Sequence, residues 1–245
     1  MRIFAASSRL WLYAWLFLFL MLNILVWTYS RPLQPVWGNV PPPISQRNAL
    51  NLSLGDSQMG YRVIGLMLQN LGNSGGVSKN LQEYDYGRIG KWLFLATALD
   101  PVSNFAPALG AFYFGATSKG EDLTPIIDYL VVVGHQPQKQ KWRWLAHAVY
   151  LARFVQNDLE LALTLAQQLA DLPRDDLPFW ARQMPVFVMT AKGEKEAAYD
   201  IILETLKSGV DDLQPTEIRM LRDYACDRVL TPEQAALNPL CKDAE

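Results

Sequence analysis

Histidine and cysteine are scarce in this sequence, two of each in 245 residues, and the scarcity removes most metal and nucleophile chemistry at once. His135 and His147 stand twelve apart, without the i, i+4 partner that puts two imidazoles on one helical face. Cys226 and Cys241 form no C-x-x-C pair. No metal site and no cofactor are expected. Strand-like alternation is missing as well, which argues against a sheet. Basic charge is not in excess: beyond position 30 there are 20 basic and 24 acidic residues, so nucleic acid is not an expected partner. The low charge content, 19%, accompanies a hydrophobic half of the chain, enough to bury a substantial core.

Acidic residues are absent from the first 30 positions, and charge of either sign from Leu10 to Tyr29, "LWLYAWLFLFLMLNILVWTY". As a helix rising 1.5 Å per residue this run is roughly 30 Å long, the thickness of a hydrocarbon core. It is expected to contact the lipid bilayer through residues 10–29. Trp11, Tyr13 and Trp15 near one end, with Trp27 and Tyr29 near the other, stand where aromatic belts form. No A-x-A-like cleavage site follows, which favours an uncleaved signal anchor over a removed signal peptide. Asn23 reads as a tolerated polar residue within the span. Arg2 and Arg9 precede the span and Arg31 alone follows it closely, so the positive-inside rule places the N-terminus in the cytoplasm. The expected location is a single-pass inner (plasma) membrane protein with its helical domain on the periplasmic, extracytoplasmic side. In such a compartment Cys226 and Cys241 can form a disulfide, although two thiols fifteen apart read more readily as independent. Asn51-Leu52-Ser53 matches a glycosylation sequon, a pattern short enough to arise by accident.

Residues 31–46 contain five prolines in "RPLQPVWGNVPPPIS" and read as a semi-stiff polyproline II spacer of up to ~45 Å, or as a ligand for a groove-bearing module. Residues 47–230 read as helices with marked breaks, followed by a tail over 231–245. The apolar spacing predicts helices over 57–71, 86–99, 103–117, 122–134, 139–155, 158–171, 177–192, 194–208 and 215–230. Asp56, Asp85, Asp158 and Thr216 stand at or near N-caps, Gly72, Gly134, Gly193 and Gly209 at stops, and Pro101, Pro173 and Pro215 at boundaries. Pro185 falls inside one predicted helix and is expected to kink it.

The turns recur. Gly193-Glu194-Lys195-Glu196-Ala197-Ala198 aligns with Asn157-Asp158-Leu159-Glu160-Leu161-Ala162 at an offset of 36, and Gly120-Glu121-Asp122 precedes the latter by 37. Each turn follows a helix rich in small and aromatic residues, and an amphipathic helix follows each turn. Ala162 and Ala198 fall at the same place, where a side chain larger than methyl would force two helices apart. Hairpins at such a period stack into an α-solenoid. Here the chain resembles the tetratricopeptide repeat (TPR) family: "AKGEKEAAYDIILETLKSG" imitates its second-helix pattern and "ATALDP" its repeat ending. The resemblance covers roughly residues 50–230. Tyr150, Pro185 and a long loop from Asn73 to Tyr84 depart from the family pattern. "EYDYGRIGKW", "KWRWLAHAVYLARF" and "LPFWARQMPVFVMTAKGE" also look like a group of proteobacterial membrane-anchored proteins, a likeness that brings no activity with it.

Gly55-Asp56-Ser57 resembles the nucleophile block of GDSL hydrolases, in which Ser57 would attack an ester. That chemistry needs a base histidine in a D-x-x-H arrangement and a strand before the serine, and the sequence offers neither, so Asp56 reads better as a helix cap. "GNSGG" (72–76) lacks the lysine of a phosphate loop. Asp175-Asp176 and Asp211-Asp212 read as solvated caps between helices. No catalytic residue is expected. What remains is "QKQKWRWLAHAVYLARF" (138–154), where Arg143, Trp144, Tyr150 and Arg153 are the candidate partner-binding residues, Arg and Trp being favoured anchors for a protein or peptide partner. Against this, Trp142, Leu145, Val149 and Ala152 have core spacing and the charges fit a wet helix face. The function expected is a membrane-anchored interaction scaffold or assembly factor. The alternatives are an envelope hydrolase using Ser57 and a structural subunit of a larger membrane complex.

Overall fold

In the computed structural model the aspartates at positions 56, 85 and 158 each open a helix, and each does so by accepting backbone N–H groups that no turn of helix can satisfy. The structure describes residues 3–30, 40–72, 80–117, 120–208 and 213–242. Arg2, the stretch from Arg31 to Asn39, the glycines of 73–76, Gly209 and Asp211-Asp212 lie outside the described residues. The fold is all-helical, 77% helix, with no strand among the described residues. The chain divides into two units, Met1–Gly38 and Asn39–Glu245.

The first unit contains helix α1 (Ile3–Ser30). From Trp11 to Ser30 it is long and apolar enough to cross a membrane. Two of its hydroxyl groups are tied off internally, Thr28 Oγ1 donating to the Leu25 carbonyl at 3.0 Å and Ser30 Oγ to that of Trp27 at 3.2 Å. A hydroxyl bonded to its own helix removes the cost of leaving a donor unpaired in hydrocarbon.

The described part of the second unit begins with residues 40–45, which form no regular element and are held by two side chains. Arg88 donates to the Val40 carbonyl and the Trp92 indole N–H to the Pro41 carbonyl, both at 2.9 Å. There follow α2 (Gln46–Leu52), α3 (Ser57–Gln69), α4 (Tyr86–Leu99), α5 (Phe105–Ala108), α6 (Thr124–Gly134), α7 (Trp142–Leu151), α8 (Leu159–Ala170), α9 (Phe179–Arg182), α10 (Met184–Lys192), α11 (Lys195–Ser208), α12 (Pro215–Tyr224), α13 (Pro232–Leu237) and α14 (Pro239–Lys242). Packing runs largely in chain order: α3 on α4, α4 on α6, α6 on α7, α7 on α8, α8 on α10 and α10 on α11.

The turns at Asn157 and Gly193, aligned by the offset of 36, both take the left-handed conformation, φ +57° and +85°. Glycine meets that conformation without steric cost and asparagine tolerates it. Ala162 and Ala198, five residues after each turn, are both fully buried. Gly134 answers a closer approach. A Cβ there would stand 2.5 Å from that of Leu145 and 2.7 Å from the Leu145 backbone nitrogen, so only hydrogen lets α6 and α7 meet at this point.

Several expected elements differ in detail. The segment 103–117 is not one helix: α5 passes into a π-helical turn over Leu109–Tyr113 and a 3-10 turn over Phe114–Ala116. Two more helices end in the same way, α7 in a π turn over Ala152–Gln156 and α12 in one over Ala225–Val229. Pro185 does not kink a continuous helix, because the helix stops at Gln183 and Pro185 sits in the first turn of α10, where a missing N–H costs nothing. Thr216 lies one residue beyond Pro215, inside α12, and the cap is Gln214, which shares a capping box with Glu217. The tail carries α13 and α14 and is joined to the π turn after α12 by a disulfide between Cys226 and Cys241, whose Cα atoms lie 5.9 Å apart.

Candidate binding site

Helix α7 divides its residues between two faces. Leu145, Ala148, Val149 and Leu151 are buried in the core, with Trp142 nearly so. Trp144, His147, Tyr150 and, past the helix end, Phe154 recur at three- and four-residue spacing on another face. From His147 onward their rings touch in sequence. His147 is 5.3 Å from Tyr150 and Tyr150 is 5.0 Å from Phe154, centroid to centroid. Phe112, from the π turn that follows α5, closes the near end, 4.7 Å from His147 and 6.2 Å from Trp144. Trp180 of α9 stacks edge-on against Trp142 at 5.6 Å.

These rings are unusually bare. Phe112 is 64% exposed, Phe154 55%, Tyr150 50% and Trp180 42%. Scattered apolar residues on a surface need no explanation, but a contiguous aromatic patch does. Together with Ala108, Ala146 and Met184 the rings of Phe112, Trp142, Trp144, His147, Tyr150 and Trp180 line a cavity of about 610 Å³.

Polar groups fix this lining rather than fill it. The Trp144 indole donates to Asn104 Oδ1 at 3.0 Å, and Arg143 donates to Gln140 Oε1 at 3.2 Å. His147 Nε2 donates to the Ala111 carbonyl at 3.1 Å, tying the helical ring stripe to the π turn before it. Burial lowers the pKa of His147, so at neutral pH its ring is an uncharged member of the ladder. Gln140 itself is held in a left-handed conformation, φ +65°, by donating its backbone N–H to Asp176 Oδ2 at 2.7 Å. Asp176 is in turn gripped by Arg174, which also donates to the carbonyls of Gln136 and Gln138. The Arg174 guanidinium holds the Asp176 carboxyl down at about 2. Lys141, fully buried, donates its ammonium to the Ser103 carbonyl at 2.7 Å, and burial depresses its pKa. The loop that starts α7 is thus fastened from two sides.

Of the four residues picked out in the sequence, Arg143, Trp144 and Tyr150 line this one cavity. Arg153 lines an adjacent cavity of about 430 Å³, with its guanidinium 4.6 Å over the Phe154 ring. Sequence reasoning missed Phe112, Trp180 and Met184. Trp180 had a signal: it follows Trp144 by 36 residues, the same offset that relates Ala198 to Ala162. Phe112 had none, since only a π turn aims it at α7.

Ser57 is the first residue of α3, and the Asp56 carboxylate beside it accepts the Gln58 and Met59 N–H groups at 2.9 and 3.1 Å. Each histidine is bonded to a backbone carbonyl, His135 to that of Val131 and His147 to that of Ala111. Among the described residues no group of three or more His, Cys, Asp or Glu side chains is arranged to hold a metal ion. No protein-family model, no curated protein and no solved structure matches the chain.

Proposed function

We propose that this is a single-pass, membrane-anchored interaction scaffold or assembly factor whose helical domain stands on the extracytoplasmic side and holds an extended segment of a partner polypeptide in the aromatic cleft beside α7. The observation that carries the reading is the contiguous ladder of rings from Phe112 through half-buried His147 and exposed Tyr150 to Phe154. Rigid aromatic rings supply large contact area at little conformational cost, and grooves lined by them take extended chains. The paired turns at Asn157 and Gly193, the buried alanines after each, and helices that pack in chain order support a TPR-like stack of hairpins, a form that presents such surfaces. The disulfide supports an oxidising compartment, in agreement with the two arginines that precede the span.

A photoreactive amino acid placed at Tyr150 in the full membrane-embedded chain tests the cleft. A discrete cross-linked polypeptide is expected at Tyr150 and not at exposed Arg62, and Trp144→Ala should suppress it. Identical products from both positions would remove the cleft from consideration. A reporter active only after export, fused to the C-terminus, tests the side of the membrane, and an inactive fusion would reverse the assignment.

A further inference from the structure

The aromatic cleft does not end at Met184. That side chain also lines the adjacent cavity, which contains Arg153, Phe187, Tyr224 and Arg228. The two arginines come from equivalent places in the fold, each from the π turn that ends a helix, Ala152–Gln156 and Ala225–Val229. A π turn widens the helix by one residue and is a recurrent device for directing a side chain out of the regular pattern. Phe187 and Tyr224, stacked edge-on at 4.8 Å, hold the floor between them.

Charge is unbalanced here. Neither cavity has an Asp or Glu among its described lining residues, and neither Arg153 nor Arg228 is in an ion pair with a described residue. In a domain with more acidic than basic residues, this cavity carries two guanidinium groups and no carboxylate among its described lining residues, and that of Arg153 also lies over the Phe154 ring. Guanidinium groups favour carboxylates through paired, charge-assisted hydrogen bonds.

We infer that the polypeptide held by the cleft is acidic at one end of its bound stretch: an apolar, aromatic or prolyl residue lies among Trp144, Tyr150 and Trp180, and a carboxylate a few residues away is bound between Arg153 and Arg228. The inference rests on the cleft reading above and adds the partner's chemistry to it. The carboxylate is a side chain of Asp or Glu within the bound stretch.

The test is selection of a display library of random nine-residue peptides, half with free and half with blocked C-termini, on the full chain in lipid nanodiscs. Peptides enriched in Asp or Glu at a constant distance from an aromatic or proline are expected, with about a tenfold loss of affinity when the acid is replaced by its amide. Enrichment confined to the free-terminus half would overturn the assignment to a side chain. The Arg153→Gln, Arg228→Gln double variant should abolish the acidic preference and keep the apolar one, with unchanged helicity, and Trp144→Ala should do the reverse. Apolar selection without acid enrichment, or acid enrichment that survives the double variant, overturns the inference while leaving the cleft standing. Failure to select any peptide overturns both. Arg228→Glu serves as a second variant, and is expected to turn selection toward Lys and Arg.

Discussion

The second unit has two cores built on different principles, and helix α10 lies between them. Val188 belongs to the larger core, which runs from Val40 through Phe114, Tyr129 and Leu145 to Ala181. Val186, two residues away, belongs to the smaller one, with Ala198, Ile202, Leu221, Ala225 and Val229. The larger core buries whole aromatic rings and satisfies several of their polar ends inside, as when Tyr129 shares a 2.7 Å hydrogen bond with Thr97, although the Trp142 indole N–H has no partner among the described residues. The smaller core is built from short side chains, and it alone is closed by a disulfide. Apolar area scales with the size of the element that supplies it, so a region with little to bury gains most from a covalent tie. The aromatic cleft is lined mostly from the large-core side, and the arginine cavity reaches the small one through Tyr224 and Arg228. A firm aromatic surface beside a weaker, stapled end is the plan that results.

That contrast can be broken most severely at Leu145, fully buried against Gly134. Leu145→Ala is expected to cost about 2–5 kcal/mol, and thermal denaturation followed by circular dichroism should show the whole second unit melting earlier. Next in size is the disulfide. Replacing Cys226 and Cys241 by serine releases a loop of 15 residues, a loss of about 3 kcal/mol in the chain-entropy account. Hydrogen exchange should rise over residues 195–242 and stay unchanged over 86–170, and uniform loss of protection would mean that the two cores melt as one.

Ala198→Leu overfills the small core at a fully buried site, with an expected cost of about 1–3 kcal/mol, read as a lower melting temperature with exchange again confined to the C-terminal region. Asp158→Ala removes an N-cap that accepts the Leu161 N–H at 2.9 Å, and about 1 kcal/mol is expected to be lost from the larger region alone. The smallest effect is one of pH. The carboxyl of Asp176 titrates lower in the folded protein than in the unfolded chain, so its contribution is complete above the ordinary value of 3.8 and disappears as pH falls toward about 2. Acid titration of stability should show a shallow decline in that window that Asp176→Asn abolishes. A decline that persists in the variant would assign it to other carboxylates.

Local signals sufficed wherever the physics was local. Helix starts at Asp56, Asp85 and Asp158 were legible because a carboxylate satisfies orphan N–H groups within three residues of itself. The stop at Gly193 was legible because few residues other than glycine accept that backbone conformation, and the apolar run from Leu10 to Tyr29 because length and absence of charge are properties of the string. Helix α2 escaped notice: its seven residues, QRNALNL, carry too short a period to read. The three π turns escaped as well, since nothing in Leu109–Tyr113, Ala152–Gln156 or Ala225–Val229 distinguishes a five-residue turn from the last turn of an ordinary helix. Pairing of Cys226 with Cys241 depended on how the chain folds back after α12. The aromatic stripe on α7 was written in the sequence, but the cavity was not, because its other walls come from Phe112 and Trp180, about thirty residues to either side of the helix. Spacing along one helix selects the side chains that share a face, and only the packing of neighbouring helices decides whether that face is covered or left open.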